Sequence, residues 1–127
     1  MHWLFDMSLK IIMDKLLDWP ESKFKTNGVN INYRIFGNGS PIILLHGYPQ
    51  NSLIWHKIVS LLSKKHRLLI PDLRGYGGSD KPDASNEDHT IYCKRTSAND
   101  VVQLARANNI NKFHIIGHDR GARVAHR

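Results

Sequence analysis

The chain has 127 residues, 41% hydrophobic and 23% charged, which is enough for one domain with a real core and ordinary for a soluble globular protein. Its net charge of +7 raises nucleic acid as a partner, but no basic run exceeds Lys64-Lys65 and no basic stripe interleaved with aromatics is present, so that class is excluded and small anionic substrates are favoured instead. Cys93 is the only cysteine, which excludes a disulfide framework and a thiolate metal cluster and fits a reducing, cytoplasmic compartment.

In the first nineteen residues Asp6, Lys10, Asp14, Lys15 and Asp18 interrupt every apolar run. No stretch reaches the roughly 18–20 apolar residues of a membrane span. The basic start and small-residue cleavage site of a signal peptide are absent too, so no membrane partner is expected. Trp3, Leu4, Met7, Ile11, Leu16 and Leu17 form an amphipathic helical stripe. Residues 1–20 are therefore read as a helical extension closed by Pro20, and 21–127 as the domain. Met7 and Met13 leave later starts open.

Lys23 to Asn27 and Val29 to Phe36 read as two strands joined at Asn27-Gly28, a strong hairpin signal. After the Gly37–Ser40 turn, Ile42-Ile43-Leu44-Leu45 is a continuous apolar run suited to a parallel strand covered on both faces. It ends in His46-Gly47-Tyr48-Pro49-Gln50. A helix is predicted from about Asn51 to Lys64, carrying Leu53, Ile54, Ile58, Leu61 and Leu62 at helical spacing. A strand follows from His66 to Leu73, then the glycine-rich loop Arg74 to Asp80 and a polar, turn-like segment from Lys81 to Thr90. That loop is no phosphate cradle, because Gly-Lys-Ser/Thr does not follow. A second helix starts near Tyr92 or Lys94, turns Val101, Val102 and Leu104 to the sheet, and ends at Asn108-Asn109 before a strand at Lys112–Ile116. Alternating strands and helices imply right-handed crossovers and a mostly parallel sheet, whose ligands bind at the carboxyl ends of the strands. His46, Asp72 and Asp119 all fall there.

Lys112 to Arg127 carries the most chemistry. Gly117 and Gly121 bracket His118, Asp119 and Arg120 between a strand and a helix, the context of a nucleophile elbow, G-x-Nuc-x-G. A carboxylate at its centre is ionised at neutral pH and can attack a saturated carbon without a general base. Taken alone, the motif fits better the N-cap of the helix that follows, a role Asp often fills. Arg120 and Arg123 stand in that helix's first turn, against the positive end of its dipole. They are suited to gripping a carboxylate in bidentate fashion, or to pairing with Asp119 or surface acids. His114 and His118 straddle a strand and a turn, so no metal site is expected.

With HGYP after one strand, DLRGYGGSDKP after the next and GHDRGARVAHR after the third, the sequence from about Phe24 to Arg127 resembles the α/β-hydrolase superfamily. Within it, the likeness is to haloacetate (fluoroacetate) dehalogenases, with epoxide hydrolases and haloalkane dehalogenases nearby. Those neighbours usually carry Trp directly after the nucleophile, where this chain has Arg120 in a D-R-G-x-R pattern.

The resemblance implies that Asp119 is the nucleophile, displacing halide from the carbon α to a carboxylate held by Arg120 and Arg123. It implies that the Tyr48 and Arg120 backbone N–H groups form the oxyanion hole, with a cis bond before Pro49. His46 is expected to prop that loop and Asp72 to shape its own, while Trp55 lines a cavity or packs its helix. No cofactor is implied, the partners are a 2-haloacid and water, and the complete form admits a homodimer.

The family's chain order is nucleophile, acid, histidine. No histidine here lies late enough to activate water, and His126 sits on the elbow helix. The general base and its acid are thus expected to be absent, together with the cap and the second half of the sheet. The fold class expected is the N-terminal portion of an α/β-hydrolase fold, with its last strand left as an apolar, aggregation-prone edge. The 127-residue chain is not expected to turn over. An epoxide hydrolase, or a non-catalytic remnant that pairs with another chain, are the alternatives.

Overall fold

The computed structural model describes residues 16–85 and 89–127. Trp3, Leu4, Met7 and Ile11 of the predicted stripe, and positions 86–88 of the polar segment, lie outside these. Strands β1 (Ser22–Thr26), β2 (Val29–Phe36) and β3 (Ser40–Leu45) are followed by a 3-10 turn (Ser52–Trp55) and α1 (His56–Leu62). Then come β4 (His66–Pro71), α2 (Lys94–Ala107), β5 (His114–Gly117) and α3 (Arg120–Ala125).

The five strands form one sheet in the order β1-β2-β4-β3-β5. Asn27 and Gly28 both take positive φ, 49° and 77°, the backbone that a two-residue hairpin turn demands. This hairpin is antiparallel within itself and to β4, so the sheet is mixed. The expected parallel arrangement holds for β4, β3 and β5, with Ile43 beside both Leu69 and Ile115. The chain passes from β3 through α1 to β4, then returns through α2 across β3 to β5. That reversal beside β3 is the switch point where open α/β sheets bind ligands.

Period two divides each buried apolar run between two layers. Ile42 and Leu44, with Leu68 and Ile70, pack on Val59 of α1 together with Leu16 and Trp19. Ile43, Leu45 and Leu69 pack instead on Val101 and Leu104 of α2 and Val124 of α3. Ile43, Leu44, Leu45, Leu68, Leu69 and Ile70 have no exposure at all. Burial of each such side chain is worth about 1.5–3 kcal/mol, so β3 and β4 form a rigid floor for whatever stands at their ends.

Two predicted helix faces are corrected. The segment after Gln50 opens with a 3-10 turn rather than an α-turn, because the Asn51 side chain accepts from the Leu53 N–H and tightens it. This shifts the phase: Val59 is the fully buried residue of α1, while Leu61 is 68% exposed and Ile58 also faces out. On α2, Val101 and Leu104 are buried, but Val102 lies one helical step of roughly 100° away and is exposed. β5 forms the outer strand beside β3, and its Ile115 and Ile116 are exposed. Among the described residues, no helix is long and apolar enough to cross a membrane.

Candidate active site

The site stands on a buried polar frame at the carboxyl ends of β3 and β4. Both ring nitrogens of His46 are engaged: Nε2 accepts from the Leu73 N–H at 2.9 Å, so Nδ1 carries the proton and donates to the Gly47 carbonyl, also at 2.9 Å. Burial pushes the pKa of His46 down, outweighing the opposite pull of the Gly47 carbonyl and of Asp72, and the ring is held neutral. His46 is therefore a prop for the loop that follows β3, as expected of it.

Asp72 is buried too. Burial alone would raise its pKa, but the N–H groups of Gly78 and Ser52 and the Asn32 and Ser52 side chains donate to it, and it lies below the ordinary value. The bonds are 3.0 Å from Gly78 N, 2.7 Å from Ser52 N and 3.1 Å from Asn32 Nδ2. One carboxylate thus ties β2, the 3-10 turn and the glycine-rich loop together. Arg74 of that loop is clamped by Asp100 of α2 through two bonds of 2.6 and 2.8 Å, both partners buried.

Above this frame β5 turns sharply into α3. Asp119, at the corner, takes φ 52° and ψ −113°, a backbone that non-glycine residues rarely adopt. The turn closes through the Gly121 N–H to the His118 carbonyl at 2.9 Å and the Ala122 N–H to the Asp119 carbonyl at 3.1 Å. A β-carbon at Gly121 would run into the carbonyl oxygens of Leu45 and His46, so only glycine lets α3 lie this close to β3. Sequence, close packing and strain agree here on an elbow.

The N-cap alternative for Asp119 does not hold. Its side chain makes no capping bond to α3; Oδ2 instead accepts from the Tyr48 N–H across the crevice, at 2.9 Å. Backbone N–H groups of Tyr48 and Arg120 hold the Asp119 pKa below the ordinary value, with the charges of Arg123 and His118 adding to the effect. Of the two predicted oxyanion-hole donors, the Tyr48 N–H thus bonds this carboxylate directly and the Arg120 N–H adds to its stabilisation. The Tyr48–Pro49 bond is cis, and His118 Nδ1 lies 3.2 Å from Gln50 Oε1, a second tie between the same loop and the elbow.

Among the described residues the ion pairs are Arg34–Glu21 and Arg74–Asp100. Neither Arg120 nor Arg123 takes part in one, with Asp119 or with a surface acid, although the Arg123 charge acts on Asp119 from a longer range. Arg120 lies over the Tyr48 ring, its guanidinium carbon 5.3 Å from the centroid. Trp55 packs, partly buried, against the α1 layer, and its indole N–H is buried with no hydrogen-bond partner among the described residues. Among the described residues no group of three or more His, Cys, Asp or Glu could hold a metal ion. Sequence reasoning missed Asn32, Ser52, Gln50 and Asp100, because each acts through a partner 20 to 73 positions away and carries no local motif. It also missed Tyr76, whose ring stands edge-on to both His46 and Tyr48.

The family described as α/β hydrolase fold matches residues 40–127. Over 99 residues, 78% of this chain, the sequence is 43% identical to a fluoroacetate dehalogenase from Burkholderia sp. and 39% identical to a soluble epoxide hydrolase from Corynebacterium sp. (strain C12). Those segments make up 32% of either relative, so the chain spans about a third of their length. A crystal structure of a candidate α/β hydrolase from Nostoc sp. PCC 7120 superimposes with a TM-score of 0.82 at 41% identity, over 87% of this chain and 38% of that one.

Proposed function

The chain belongs to the α/β-hydrolase fold family, and on that premise we propose that it supplies the nucleophile, oxyanion hole and carboxylate anchors of an enzyme that hydrolyses the carbon–halogen bond of a 2-haloacid. The observation that carries this reading is the pair of guanidinium groups, Arg120 and Arg123, that follow an ionised Asp119 on a strained elbow and make no ion pair among the described residues. Arg120 opens α3, whereas Arg123 falls in its last turn rather than in the expected first. Two cations that make no ion pair among the described residues suit an anionic substrate, and a planar guanidinium suits its carboxylate.

In the reaction proposed, Arg120 and Arg123 hold the carboxylate and Asp119 attacks the α-carbon. The new carbon–oxygen bond forms as the carbon–halogen bond breaks, and the halide leaves with the bonding pair. Water then adds to the carbonyl of the aspartyl ester, whose developing oxyanion faces the Tyr48 and Arg120 N–H groups. Collapse returns the Asp119 carboxylate, a 2-hydroxyacid and one proton. Neither histidine beside the elbow is free as the base for that water: His46 is buried with both nitrogens engaged, and His118 turns to Gln50.

Incubating the 127-residue protein with fluoroacetate, followed by fluoride measurement and peptide mass spectrometry, tests this. The expected result is a carboxymethyl ester on the peptide containing Asp119 and no more than one fluoride per chain. Repeated turnover would show that these 127 residues supply a base for the water. An unmodified Asp119 together with ring opening of styrene oxide would replace the reading with an epoxide hydrolase, the activity named for the Corynebacterium relative.

A further inference from the structure

Tyr48 is 61% exposed, an unusual position for a large ring whose backbone is fixed so firmly. Its N–H is bonded to Asp119. Its ring meets Tyr76 edge-on with centroids 6.5 Å apart, and Tyr76 in turn meets the buried His46 at 5.2 Å. The open face of the Tyr48 ring carries the Arg120 guanidinium at 5.3 Å. An unbroken line of contacts thus runs from the buried His46 through two tyrosine rings to an arginine that makes no ion pair among the described residues.

We infer that the Tyr48 side chain is a positioning residue, a seat that fixes the Arg120 guanidinium for the substrate's carboxylate. This rests on the 2-haloacid reading of the site. Arginine is rich in rotamers, and one that is free in solvent must be ordered when it binds an anion. A cation placed over an aromatic face has much of that ordering done in advance. Because the Tyr48 N–H also touches the nucleophile, one residue sets the spacing between the reacting carboxylate and the carboxylate anchor.

The test reads the Arg120 Nε–H signal by NMR in the 127-residue protein, assigned with Arg120→Lys, and uses acetate as the unreactive probe. In the unaltered protein and in Tyr48→Phe, the ring should displace this signal from the position of a free arginine. In Tyr48→Leu it should return there, and acetate should bind roughly two- to fivefold more weakly. Tyr48→Phe should bind acetate as the unaltered protein does. An Arg120 signal identical in the unaltered protein and Tyr48→Leu overturns the seat. A displaced signal with acetate perturbing neither Arg120 nor Arg123 overturns the carboxylate reading instead, and with it the substrate role of the seat, while leaving the ring contact itself intact.

Discussion

The frame around Asp72 and the elbow around Asp119 use the same residue types to opposite ends. In the frame, Arg74 meets Asp100 in a buried two-pronged pair, and Asp72 and His46 have their polar atoms engaged by named partners. At the elbow, Arg120 and Arg123 make no ion pair among the described residues, Asp119 is exposed, and its backbone is strained. A buried charge without a partner is strongly destabilising, so the frame must be self-satisfied. The elbow is solvated and can afford open valences. Saturation of partners, rather than residue type, separates scaffold from site in this chain.

The largest contrast comes from Asp119→Asn. It should abolish ester formation with fluoroacetate altogether while leaving the unfolding free energy within about 0.5 kcal/mol, as for an exposed position with no buried partner. Paired mass spectrometry and urea unfolding read both quantities, and ester formation in the variant would remove Asp119 from the chemistry. Asp100→Ala should behave the other way. It strands the Arg74 guanidinium in the interior and should cost about 3–5 kcal/mol, with the further substitution Arg74→Leu recovering a large part. If Asp100→Ala unfolds at the same urea concentration as the unaltered chain, the frame is not the support described.

These two regions also differed in how far the sequence disclosed them. The elbow was legible because its constraints are local: Gly117, Asp119 and Gly121 lie within five positions, and a β-carbon at Gly121 has no room. The apolar runs of β3 and β4 were legible as well, since their continuity reports coverage on two faces. The frame was not, because nothing in the sequence near Asn32 announces a bond to Asp72, or near Asn27 one to Asp100. The faces of α1 were misread for a related reason. A 3-10 start moved Val59 to the core and Leu61 out, and periodicity alone assumes one helix type throughout.

Arg123→Gln sharpens the comparison at a smaller scale. It removes a cation with no ion pair, so stability should stay within about 0.5 kcal/mol. Acetate binding should weaken by about tenfold, the value of one charge-assisted contact. An arginine of the frame would show the reverse pattern. Undiminished acetate affinity in Arg123→Gln, measured by titration, would take Arg123 out of the anchor.

The smallest effect distinguishes why the two carboxylates are acidic. Asp72 and Asp119 both lie below the ordinary value, but Asp72 is lowered by donors inside the frame against its own burial, whereas Asp119 is lowered first by two backbone N–H groups and then by exposed charges of Arg123 and His118. A folded-state pKa below the unfolded one gives stability that is present above the ordinary aspartate value of about 3.9 and is lost as pH falls through the lower folded value. Asp72 should therefore contribute to acid unfolding in that low window. Ester formation at Asp119 should stay level from neutral pH down to the same region and fall only below it, because the nucleophile must be ionised. Added salt screens exposed charges and barely reaches buried bonds. Carbon-13 titration in low and high salt should accordingly show the Asp119 midpoint rising while that of Asp72 holds. Equal movement of both midpoints would mean that Asp72 shares the solvated field of the elbow, and the division between frame and site would lose its electrostatic basis.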